Sequence, residues 1–395
     1  MKKAVSFAMA AAVVMAAFTG CQGAPASQAT PAASNGSTPA AQTLIIGGSG
    51  PLTGDYATYG ISVKQGALLA MKELNAAGGV NGIQFDVRIE DDQADPAMAV
   101  SAYSTLYDAG MKVSLGGVTS GACIAVSEET KKDGMLMLTP SGSQKDCVQY
   151  DNGFRVCFTD PDQGIYAAQF IFDNKVGQKI AVIYDKSNDY SAGITENFMT
   201  KAKELGLEVV TQQAFTNQSN TDFSVQLQAV KSSGADLVFL PIYAQEAAYI
   251  LTQANKMALG ATFFGCDGLD GIIEKIGKEN LAFTEGVMLL TPFAADSAEP
   301  VVANFTKAYK ESYNATPDQF AADGYDAVYT IAEAMKKANI TDLNDKEFDQ
   351  KMIGAMTQIT VKGTTGTMTW TADGEPAKSA TAVVIKDGSY VAYKK

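Results

Sequence analysis

The chain has 395 residues, with 30 Lys and Arg against 43 Asp and Glu, a net charge of -13 and no histidine. That charge disfavours nucleic acid as a partner, because phosphate binding needs a basic surface. The missing histidine removes the commonest general base, the commonest metal ligand and every Ser-His or Cys-His nucleophile arrangement, so no enzyme, metal or cofactor is expected.

Met1-Lys2-Lys3 followed by the apolar run from Ala4 to Phe18, broken by Ser6, reads as a secretory signal over 1–20. The run is shorter than the roughly 20 residues a membrane span needs. The small residues before Cys21 resemble a lipobox, with Phe18 in place of the usual aliphatic; this resemblance implies lipid attachment at Cys21. Residues 21–42 form the expected linker: from Gln22 to Gln42 the chain uses only Gln, Gly, Ala, Pro, Ser, Thr and Asn, the composition of a flexible tether. An exported body held to the membrane by its N-terminus is expected.

From Thr43 short β-branched runs alternate with amphipathic segments. Strands are expected at Leu44 to Gly48, Ile83 to Glu90, Val113 to Leu115 and Met135 to Leu138, with helices at Gly60 to Ala77, Pro96 to Ala109 and Gly121 to Lys132. Phe154 to Phe158 reads as opening a second set. Its strands are Lys179 to Tyr184, Leu207 to Val210, Leu237 to Pro241 and Thr262 to Gly265, with helices from near Gln163, Ser191, Phe223 and Gln245. One more strand, Gly286 to Pro292, precedes helices at Pro300 to Tyr313 and Phe320 to Lys337. Closing strands are expected at Gly366 to Trp370 and Thr381 to Tyr393, with a hairpin turn at Lys386 to Ser389. Repeated βαβ units of this kind predict an α/β protein with two parallel-sheet lobes. The N-terminal lobe is expected over 43–157 and 291–379, the C-terminal lobe over 158–290 and 380–395.

Ligands of open α/β sheets sit beyond the carboxyl ends of the strands, so the loops there hold the candidate site. In the first lobe these are Ser49 to Gly54 leading to Tyr56 and Tyr59, Val118 to Gly121, and Thr139 to Ser143; in the second, Asp185 to Tyr190, Tyr243, and Cys266-Asp267-Gly268. Hydroxyls at helix starts suit a carboxylate, and the opposite lobe offers tyrosines and an acid. The ordinary alternative is that Ser120, Ser143 and Asp267 are helix caps. The glycines near Gly48 do not match a nucleotide loop, since Pro51 removes an amide and no Gly-Lys-Ser/Thr follows. Four cysteines follow Cys21. In an exported protein Cys123, Cys147, Cys157 and Cys266 are expected to form two disulfides, with Cys123 and Cys147 the preferred pair because both follow neighbouring strand-end loops.

Gly50-Pro51-Leu52-Thr53-Gly54 to Gly60, the helix from Gly66-Ala67 to Asn75 ending Gly78-Gly79-Val80-Asn81-Gly82, Asp91-Asp92-Gln93-Ala94-Asp95-Pro96, and Phe264-Gly265-Cys266-Asp267-Gly268 resemble the leucine/isoleucine/valine-binding proteins of ABC importers. The resemblance implies the type I periplasmic-binding fold, two Rossmann-like lobes joined by three crossovers, and a monomer that delivers a branched-chain amino acid to permease subunits. Carried over by position, it implies that Ser120 and Ser143, with backbone at Ser141, bind the ligand carboxylate. Asp267 would then take the ammonium and Tyr190 would close over it, while Tyr59, Tyr243 and Phe320 line the side-chain pocket. Gln93-Ala94 stands where some relatives place a disulfide cysteine, so their bridge pattern does not transfer. The same fold could also take another amino acid or a small amide, or serve as a sensory ectodomain.

Overall fold

The computed structural model describes residues 42–378 and 380–394. The expected signal, Cys21 and nearly all of the linker lie outside them. The first layer is built from β1 (Thr43–Gly50), α1 (Ala57–Ala76), β2 (Gln84–Asp91), α2 (Pro96–Asp108), β3 (Val113–Gly117), α3 (Ser120–Asp133), β4 (Met137–Thr139) and β5 (Gly153–Arg155). Its strands pair in parallel in the order β2-β1-β3-β4-β5. Strand β5 therefore completes this sheet, by pairing with β4, rather than opening the second set as expected. Its three residues are buried on both faces and carry no alternation that would reveal their partner.

The second layer follows with α4 (Asp160–Asn174), β6 (Lys179–Asp185), α5 (Asp189–Leu205), β7 (Glu208–Phe215), α6 (Ser224–Ser233), β8 (Leu237–Leu240), α7 (Ala244–Lys256), β9 (Thr262–Gly265), α8 (Ile272–Lys275) and β10 (Met288–Thr291). The chain then returns to pack α9 (Pro300–Tyr313) and α10 (Gln319–Lys337) against α1, and adds α11 (Phe348–Met356) with the two-stranded ribbon β11 (Val361–Gly363) and β12 (Gly366–Met368). Finally β13 (Thr381–Lys386) and β14 (Ser389–Ala392) join the second sheet, whose order is β14-β13-β10-β9-β8-β6-β7. The last two strands are antiparallel and turn through Asp387 and Gly388, both at positive φ, as a tight hairpin requires. The chain thus passes between the layers three times, after β5, after β10 and before β13.

The helices start where local chemistry supports a start. Asp95 accepts from the amides of Ala97 and Met98 with Pro96 at the first helical position; Thr159, Asn188 and Asp318 cap α4, α5 and α10 in the same way. The core of the first layer joins Leu44, Ile46, Val87 and Leu115 of the sheet to Ile331 and Met335 of α10. In both sheets the order reverses beside the first strand of the set, between β1 and β3 and between β6 and β8. Those reversals open crevices at the carboxyl ends of the strands.

Candidate ligand-binding site

The loops at those crevices face each other. Tyr59, Ser120, Ser141, Ser143, Tyr190, Tyr243, Asp267 and Phe320, contributed by seven separate loops and helix starts, all line one narrow space, joined by Val118, Thr119 and Gly268.

On the first-layer side α3 begins with Thr119 as its cap residue, yet no side chain caps the helix and the Thr119 hydroxyl has no hydrogen-bond partner. Thr119 and Ser120 are buried. The first amides of α3 and an unused hydroxyl thus meet in the pocket, an arrangement that favours an anion. Ser120 accepts from the Gln144 amide, 3.2 Å, and Ser141 donates to the Val118 carbonyl, 2.8 Å, so these two serines also hold the loops together. Ser143 lies two residues before a short 3₁₀ turn and beside Asp160, whose carboxyl is pushed well up by burial, with the Ser143 hydroxyl opposing that shift.

On the opposite side Asp267 is 4% exposed and begins a short 3₁₀ turn. Tyr190 donates to its Oδ1 at 2.7 Å and Gln163 to its Oδ2 at 3.1 Å, while the Asp267 amide returns a bond to Gln163. Tyr190 thus orients the acid and also accepts from the Gly268 amide. Burial pushes the Asp267 carboxyl up to about 6, against the lowering effect of Tyr190, Gln163 and the Gly268 amide. A carboxylate with both oxygens fixed and its remaining lone pairs turned to a closed space is a partner for a cation.

The wall between these two ends is aromatic. Tyr59 and Phe320 meet edge to face at 4.7 Å, Tyr59 and Tyr243 lie 5.4 Å apart, and Tyr243 stacks on Tyr190 at 5.0 Å and 6°. Tyr59 donates to the Gly268 carbonyl at 2.6 Å and accepts from the Ala244 amide at 2.8 Å, which ties α1 to the second layer and closes the pocket.

The two expected disulfides are not formed: Cys123, Cys147, Cys157 and Cys266 are free, buried thiols. Cys123 and Cys147 share an apolar cluster, and the Cys147 thiol donates to the Ser120 carbonyl at 3.6 Å. Cys266 packs in the core of the second layer, and Cys157 lies where the chain leaves the first. Each thiol fills its site as a small apolar group.

Fold and pocket are those of a two-lobed α/β binding protein, and the chain belongs to the periplasmic binding protein family, which it matches over residues 43–389 and which implies an extracytoplasmic location. Members of this family bind ligands for transport and are not enzymes. Among its relatives, the Leu/Ile/Val-binding protein homolog 1 of Brucella suis is 30% identical over 302 residues, 76% of this chain and 80% of that protein. The leucine-, isoleucine-, valine-, threonine-, and alanine-binding protein of Pseudomonas aeruginosa is 31% identical over 306 residues, 77% of this chain and 80% of its own length. The isoleucine complex of the branched-chain amino acid transporter binding protein LivJ from Streptococcus pneumoniae superposes with a TM-score of 0.81 at 27% identity, covering 89% of this chain and 98% of that one.

Proposed function

We propose that this protein captures a branched-chain amino acid, leucine, isoleucine or valine, in the cleft and delivers it to the permease of an ABC importer, anchored to the membrane by a lipid on Cys21. The observation that carries the reading is the pairing of an uncapped helix start, with its unused Thr119 hydroxyl, and a buried, oriented Asp267 across one shared space between the lobes. The first suits a carboxylate, the second an ammonium, and Tyr59, Tyr243 and Phe320 leave an apolar wall for the side chain. The ligand touches both lobes only when they are closed, so binding shifts the population toward the closed state that a permease can distinguish. The names of the relatives above support the same ligand class.

A thermal-shift screen of amino acids and simple amides, followed by calorimetry, tests this. Leucine, isoleucine or valine is expected to stabilise the protein most. Asp267→Ala leaves the ammonium buried without a partner, a cost of about 3 to 5 kcal/mol, or roughly a hundredfold to several thousandfold in affinity. Leucinamide, lacking the carboxylate, and isocaproate, lacking the ammonium, should bind poorly. Equal affinity for isocaproate and leucine would show that Asp267 serves only its own loop.

A further inference from the structure

The residues just before α1 and in its first turn reach across the cleft at three points. The Asp55 carbonyl accepts from Lys275, Tyr56 donates to Glu246 Oε1 at 2.7 Å, and Tyr59 bonds to Gly268 and Ala244 as described. Tyr59 lines the ligand space; Tyr56 and Glu246 do not. Glu246, in the first turn of α7, is 3% exposed, and Asn220 donates to the same oxygen at 3.0 Å. Burial pushes its carboxyl up, with Tyr56 and Asn220 opposing. The Tyr56 ring lies 5.0 Å from Tyr243, which does line the ligand space.

We infer that Tyr56 and Glu246 form a latch between the lobes, a pair of positioning residues that sets ligand affinity by holding the closed state and bracing Tyr243, without touching the ligand. A carboxylate left in the closed interface without Tyr56 would be a poorly compensated buried charge, whereas in an open cleft water solvates it. The bond therefore belongs to closure. Whatever free energy it contributes adds to the apparent affinity, because the closed form is the one that retains ligand. It forms after encounter, so its loss appears in the dissociation rate rather than the association rate.

This rests on the cleft being a ligand site, and the test separates the two claims. Binding kinetics are measured with the ligand that the thermal-shift screen identifies, on wild type, Tyr56→Phe, Glu246→Ala, the double variant and Glu246→Gln. Tyr56→Phe is expected to speed dissociation about ten- to a hundredfold, the range for a hydrogen bond to a charged group, with the association rate and the melting temperature of the ligand-free protein unchanged. The double variant should bind no more weakly than Glu246→Ala alone, since both remove one interaction. Glu246→Gln keeps an acceptor for Tyr56 and should retain wild-type dissociation within a few-fold. Additive losses, or a Tyr56→Phe protein that dissociates like wild type, would overturn the latch. If wild type binds nothing in the screen, the ligand assignment has failed. The latch is then judged by the same dissociation rates with whichever other small molecule proves to stabilise the protein; a protein that no small molecule stabilises overturns the latch as well.

Discussion

The burial that makes Asp267 a strong partner for an ammonium also makes it reluctant to ionise. With its carboxyl pushed up to about 6, the form that pairs with a cation is complete only above that pH. Amino-acid affinity should therefore be level from pH 8 to about 6 and fall by up to about tenfold per pH unit below it. Stability of the ligand-free protein moves the other way. The unfolded carboxyl titrates near 3.8, so the folded state takes up a proton as pH falls from 6 to 4, and this residue opposes folding most above 6 and least below 4. Calorimetric titrations at pH 5, 6, 7 and 8 check the binding limb; affinity unchanged between pH 7 and 5 would assign the cation to another group. Most residues that line the pocket are legible because they follow strand ends, where parallel-sheet proteins place their ligands; Phe320 follows α9 instead, and only the resemblance points to it. Gln163 is not legible, since its bond to Asp267 joins residues 104 apart and nothing local marks it. Thr119 sits in a loop that the sequence does single out, but only the structure reveals that its hydroxyl caps nothing.

The aromatic wall depends on how two helices meet. Tyr59 and Phe320 stand at the starts of α1 and α10, and those helices touch through glycines: a Cβ on Gly66 would lie 1.8 Å from the Ala321 carbonyl oxygen, and one on Gly324 2.3 Å from that of Val63. Neither neighbour can yield without moving a helix. Gly324→Ala should therefore lower stability by about 1 to 3 kcal/mol, despite the better helix propensity of alanine, and weaken ligand binding by displacing Phe320. Gly354→Ala is the control, since α11 offers nothing within 4 Å of the added methyl, and it should be neutral or stabilising by up to about 1 kcal/mol. Paired thermal melts and titrations of the two variants check this; a Gly324→Ala protein as stable as the control would mean that the helices slide apart freely. Long helices such as α1 and α10 and the buried runs of the second sheet were readable from periodicity. By contrast, Val361–Gly363, α11 and the partners of β5 and of the expected strand at Gly366 were not. Segments of three to nine residues carry too few periods to declare a partner, and their places are decided by non-local packing against α10 and β4.

At the scale of the molecule, the two sheets place most ligand loops at the carboxyl ends of parallel strands, so the amino end of β1, between β2 and β3, lies at the opposite end of its sheet from the cleft. Gln42, just before β1, is fixed there by bonds between its side chain and the Asp342-Leu343 turn. The pocket-lining residues named above all lie within the described body. A protein beginning at Gln42 should bind the amino acid with wild-type affinity in calorimetry. The full chain carrying Cys21→Ala, expressed in a bacterial host with its own signal, should be exported, fail to incorporate labelled palmitate and appear in the soluble fraction with ligand affinity unchanged. Palmitate on the Cys21→Ala protein would remove the lipid anchor from the reading. Loss of affinity on truncation to Gln42 would mean instead that the N-terminal tract takes part in closing the cleft.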